Sequence, residues 1–70
     1  MYKVEAVRSG RREDLVVKSD GKFVSGASLN FVQWMQKRVP NYLLSAEQVA
    51  LVKWYEDNRL RDERVALKFN

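Results

Sequence analysis

The apolar positions of this chain alternate in its first third and recur every three to four residues after that. Over residues 2–8, Tyr2, Val4 and Ala6 fall on one side and Lys3, Glu5 and Val7 on the other, which predicts a strand. Ser9-Gly10-Arg11-Arg12 breaks the alternation and reads as a loop. Residues 13–18 bring Leu15, Val16 and Val17 together, apolar on both faces, as a central strand requires. Ser19-Asp20-Gly21 is the strongest turn signal, and its length decides what faces the core. A two-residue Asp20-Gly21 turn sets Lys18 opposite Phe23. A three-residue loop with a left-handed Gly21 sets Lys18 opposite Lys22 and Val17 opposite Phe23. Burying an aromatic beside Leu15 and Val17 is worth about 1.5–3 kcal/mol, so the three-residue loop is expected. The free face of the sheet would then carry Lys3, Val7, Val16, Lys18, Lys22 and Val24.

Past the small polar link Ser25-Gly26-Ala27-Ser28 the period lengthens. Ser28 is placed to cap a helix over residues 29–38, in which Phe31, Val32 and Met35 share a face with Val39 beside it. Trp34 lies to one side, roughly 100° from the centre of that face. Lys37 and Arg38 complement the dipole in the last turn, and Pro40 forces Val39 out of the helical region. Asn41-Tyr42-Leu43 crosses to a second helix, the best-marked element of the chain. Ser45 and Gln48 form a capping box, and Leu44 and Val49 a hydrophobic staple. Leu51, Val52, Trp54 and Tyr55 cover one arc, and Asn58 suits the left-handed end. In residues 64–70, Val65, Leu67 and Phe69 alternate with Arg64, Lys68 and Asn70, predicting a further strand beside the first. The expected fold class is α+β. One domain, residues 1–70, sets a small antiparallel sheet against two helices; the sheet is a three-stranded meander with a fourth, C-terminal strand.

With 70 residues the chain has room for one small core, and no cysteine is present to staple it. Lacking both cysteine and histidine, it has no thiolate zinc site, no imidazole base and no thiol nucleophile. The carboxylate pairs Glu13-Asp14, Glu56-Asp57 and Asp62-Glu63 are sequence neighbours whose side chains diverge, and Gly10, Gly21 and Gly26 are isolated turn residues. No catalytic residue, metal or cofactor is therefore expected. No apolar run approaches the roughly 20 residues of a membrane span and no secretion signal is seen, so a soluble cytoplasmic protein is expected.

Charge narrows the picture further. The net charge is +4. From Ser45 on, Lys53, Arg59, Arg61, Arg64 and Lys68 balance Glu47, Glu56, Asp57, Asp62 and Glu63, so the surplus lies earlier. Between Asp20 and Glu47 there is no acid at all, and such a field favours an anionic partner. The leading expectation is a non-enzymatic regulatory domain that binds DNA or RNA. Arg8, Arg11 and Arg12 around the first loop, Lys18 and Lys22 on the sheet, and Lys37 and Arg38 on the helix form the candidate site. Three strands followed by a helix resemble the sheet-reading DNA-binding domains at the N-termini of some phage integrases, a likeness of architecture that carries over no residue. Leu44-Ser45-Ala46-Glu47-Gln48-Val49, continuing to Glu63-Arg64-Val65-Ala66-Leu67-Lys68-Phe69-Asn70, resembles the first two helices of a resolvase-type helix-turn-helix. That likeness covers about a third of the chain, stops before the family's recognition helix, and would make residues 65–69 helical.

The alternative is a protein-binding module, such as a phage-type inhibitor or regulator of a larger host transcription or nuclease enzyme. Trp34, Arg38 and Tyr42 are its candidate anchors, because Trp, Tyr and Arg dominate binding hot spots. A homodimer through the apolar segment 49–52 belongs to the same class.

Overall fold

The computed structural model describes residues 1–60, and the strand expected over residues 64–70 lies outside them. Three antiparallel strands, β1 (Tyr2–Ser9), β2 (Arg12–Ser19) and β3 (Lys22–Ser28), form a meander in the order β1-β2-β3. Helix α1 (Leu29–Arg38) follows directly, a single 3-10 turn (Asn41–Leu43) crosses over, and α2 (Ala46–Tyr55) runs on into a wider π-type turn (Glu56–Leu60). Both helices lie on one face of the sheet, α1 over β2 and β3 and α2 over β1 and β2. This is the expected α+β architecture of a small antiparallel sheet and two helices.

The apolar pattern of β1 and β2 reads through directly. Val4 pairs with Val17 and Ala6 with Leu15, so these residues share the helix-side face. Leu15 and Val17 of the central strand are fully buried among Val32, Met35, Leu51, Val52 and Tyr55. Outside the sheet, Lys18 bonds Glu5 at 3.1 Å and Arg12 bonds Asp14 at 3.1 Å.

The second hairpin corrects the expected loop. Ser19 pairs with Lys22 and Lys18 with Phe23, so the turn is the two residues Asp20 and Gly21, with φ of 53° and 78°. Two successive left-handed residues make the turn whose twist matches the flanking strands, and Asp tolerates that conformation well enough to take the first position. A register shift between Val17 and Lys18 then makes Val24 the extra residue, and Val17 faces Ser25 while Leu15 faces Ala27. The bulge thus gives α1 two small residues to approach. Phe23 is carried outward instead of into the core. It is 67 % exposed, and its ring lies 3.6 Å from where a Gly26 Cβ would stand. Lys22, by its pairing with Ser19, belongs to the helix side rather than the free face. Residues 25–28, expected as a link, complete β3.

Ser28 caps α1 as expected, its hydroxyl accepting the Phe31 N–H at 3.2 Å. Val39 is extended before Pro40. Val32 and Met35 enter the core, but Phe31 does not join them: it is 45 % exposed. In α2 the capping box is complete, with Gln48 N–H donating to Ser45 Oγ at 3.2 Å and Ser45 N–H to Gln48 Oε1 at 2.9 Å. Leu51, Val52 and Tyr55 are buried, and Trp54 is half-buried. Asn58 does not end the helix in a left-handed conformation. It lies inside the π-type turn, where its side-chain amide donates to the Trp54 carbonyl at 2.8 Å.

Glu47, in the first turn of α2, joins the helix to β1 by accepting from the Tyr2 hydroxyl at 3.3 Å. Its own backbone N–H, then the Ser45 hydroxyl and the Tyr2 hydroxyl, favour the charged form and hold the carboxyl below the usual carboxylate range. A depressed folded value stabilises the fold above the unfolded value of about 4.3, and that contribution is lost as pH falls through the folded value. Glu47→Gln is therefore expected to be less stable than the native chain at pH 7, with a smaller gap at pH 3. Urea midpoints at the two pH values check this; a gap that stays constant contradicts it.

Candidate nucleic-acid interface

The first hairpin turns on Gly10 and Arg11, since Ser9 pairs with Arg12. Gly10 has a φ of 61°, and Arg11 is not in the left-handed region, the sequence of conformations of a type II′ hairpin turn. Arg11 therefore sits at the tip, with Arg12 at the start of β2, 73 % exposed along its side chain. Arg8 folds back along the turn, donating from Nε to the Gly10 carbonyl at 3.3 Å. The three arginines stand at one end of the sheet, Arg8 on the helix side opposite Glu13, Arg12 on the free side and Arg11 at the tip.

The other four cations are not all brought to them. Lys18 lies within the free face and is held by Glu5. Lys22 stands at the opposite end of β2 from Arg12, about 23 Å away at the rise of a strand. Lys37 and Arg38 close α1. The sheet's free face is thus a mixed surface, with Glu5 and Asp14 standing among Lys3, Lys18 and Arg12.

A more uniform surface runs from the first hairpin along α1. The Arg11–Arg12 turn abuts the start of α1, where Arg11, Arg12, Glu13, Ser28, Leu29 and Asn30 border a shallow cleft. Both acids of that corner are engaged. Arg59, from the π-type turn, bonds Glu13, and Arg12 bonds Asp14. Arg59 is held in turn over the Trp54 ring, with 5.7 Å from its guanidinium carbon to the ring centroid. Asn30 also borders a second cleft with Gln33, Trp34, Lys37 and Arg38. These positions recur at three and four residues, so they form one stripe on the solvent side of α1. No acid lies in α1. Among the described residues Arg11, Lys37 and Arg38 take part in no ion pair.

The aromatic candidates are exposed. Trp34 is 53 % exposed, and its ring stacks on that of Phe31, with centroids 5.8 Å apart and planes 24° from parallel. Tyr42 projects from the 3-10 turn, 85 % exposed, with Leu43 beside it in the chain. In segment 49–52, Leu51 and Val52 are in the core, which leaves Val49 and Ala50 as the part open to a second copy. Sequence reasoning missed Phe31 as Trp34's partner, although the spacing of three residues was there to suggest it. Arg59 as the counter-ion of Glu13 had no local signal, being 46 residues away.

Among the described residues no helix is long and apolar enough to cross a membrane, and no group of three metal-binding side chains occurs. Compared with known proteins, the chain matches no family profile, no curated sequence and no solved structure.

Proposed function

We propose that this chain is a small non-enzymatic regulatory domain that binds nucleic acid through its phosphates, anchored on the β1–β2 hairpin. One observation carries the reading: the arginine turn stands against an acid-free helix, and the acids nearest to it are already held by Arg12 and Arg59. A corner whose acids are neutralised internally presents its remaining cations to solvent, and a surplus of one sign draws a polyanion at long range. The start of α1, with no acid in its first turn, adds a dipole end of the same sign. Lys18 is secondary because it stands toward the far end of β2 from the Gly10-Arg11 turn, beside Glu5.

The test is a titration of labelled mixed-sequence DNA and RNA with the protein at two salt concentrations. Phosphate contact predicts affinity that falls steeply with salt, the slope of log K against log[salt] being about −0.7 per contact on a single strand and −0.9 on a duplex. Failure to bind any of them at low salt removes the reading. A second reading, a protein-binding module centred on Trp34, Arg38 and Tyr42, is favoured by the exposure of both aromatic rings.

A further inference from the structure

We infer that the solvent stripe of α1 is a stacking platform for unpaired bases, so that single-stranded nucleic acid, rather than duplex, is the ligand. The inference rests on the nucleic-acid reading above and adds what the hairpin arginines do not specify. Trp34 and Phe31 stand one turn apart, each about half exposed, with their rings stacked on one another. Phe31 fixes the indole from one side. Trp34 also borders the cleft formed with Asn30, Gln33, Lys37 and Arg38, to which Phe31 does not contribute. The half-exposed indole therefore stands beside two amides and two cations that take part in no ion pair among the described residues.

That combination has a specific chemistry. A flat ring face attracts the face of a base, which an unpaired strand offers and a duplex keeps inside its own stack. Amide side chains donate to and accept from base edges. Lys37 and Arg38 meet phosphates on one flank, and Arg11 meets them on the other, past Asn30. From Asn30 to Arg38 the helix rises about 12 Å, the length of three to four stacked nucleotides. An acidic polypeptide would also satisfy the cations, whereas an unpaired strand supplies in one repeating unit a flat face for the ring, edges for the amides and phosphates for the cations.

The experiment is fluorescence anisotropy of a labelled mixed-sequence single strand and of the same sequence as duplex, with the native chain, Trp34→Ala and Trp34→Phe. Circular dichroism checks the fold, which an exposed side chain does not hold together. The single strand is expected to bind several-fold more tightly than the duplex. Trp34→Ala is expected to lose roughly tenfold or more of that affinity. Trp34→Phe should retain most of it, and neither change should alter the salt slope, because no charge is removed. Equal binding of Trp34→Ala, or tighter binding of duplex, overturns the platform and leaves phosphate binding standing. Poly-glutamate binding as tightly as the single strand overturns it also and assigns the face to an acidic protein. No binding of any oligonucleotide at low salt overturns both readings.

Discussion

Arg11→Ala combined with Arg12→Ala is expected to weaken nucleic-acid binding by on the order of 25-fold near 0.1 M salt, and to reduce the salt slope by about 1.4 on a single strand. The figure follows from two phosphate contacts, each releasing about 0.7 of a counterion, which at that concentration is about fivefold per contact. The stability of the domain should change little. Arg11 is an exposed turn residue in no ion pair among the described residues, and the Arg12–Asp14 bond lies on the surface, where such pairs contribute little. The anisotropy titration that follows Trp34 measures this directly, at three salt concentrations. A double variant with an unchanged slope would place the phosphate contacts elsewhere, with Lys37 and Arg38 next in line. The combination with Trp34→Ala is informative too. The slope should depend only on the arginines and the salt-independent remainder only on the indole, so the two effects should add.

Leu15→Ala is expected to abolish cooperative folding. Leu15 is fully buried at the centre of β2, between Ala6 and Ala27 in the sheet and beneath both helices. Truncating a leucine in such a site costs about 2–5 kcal/mol, through lost transfer energy and the cavity left behind. A core of this size supplies only about 3–5 kcal/mol in all. Phe23→Ser is the instructive contrast. By residue size alone it is the larger deletion, yet Phe23 is two-thirds exposed and lies over Gly26 on the outer surface. It should shift the urea midpoint slightly and leave the transition cooperative. If the two variants behaved the other way round, Phe23 would be the core residue and the three-residue loop the true one.

That pair of variants marks where sequence reasoning reaches and where it stops. The elements built from neighbouring residues were legible. Ser45 and Gln48 satisfy each other's backbone groups within one turn, and Ser28 caps α1 across three residues. Pro40 acts on the residue before it, and the apolar run Leu15-Val16-Val17 marks β2 as the central strand. Each of these energies is complete within a few residues, so no partner from far away is needed to decide it.

The hairpin register was not of that kind. A two-residue turn with a bulge and a three-residue loop differ little locally, and the choice fell to packing. The bulge sets Ser25 and Ala27 under α1, where Phe23 would have held the helix off. Phe31 followed the same logic, being turned out to meet Trp34 once Val32 and Met35 had filled the space over the sheet. The basic surface divides in the same way. The sequence by itself determined that the cations exceed the acids and that none of the acids falls between Asp20 and Glu47. Only the tertiary structure decided which cations stay unpaired. Arg59 reaches Glu13 across 46 residues, Glu5 reaches Lys18 across two strands, and α1 starts beside Arg11 because β3 ends there. Charge is a property of residue types and is counted along the chain; a charge's partner is a matter of distance, which exists only once the chain has folded.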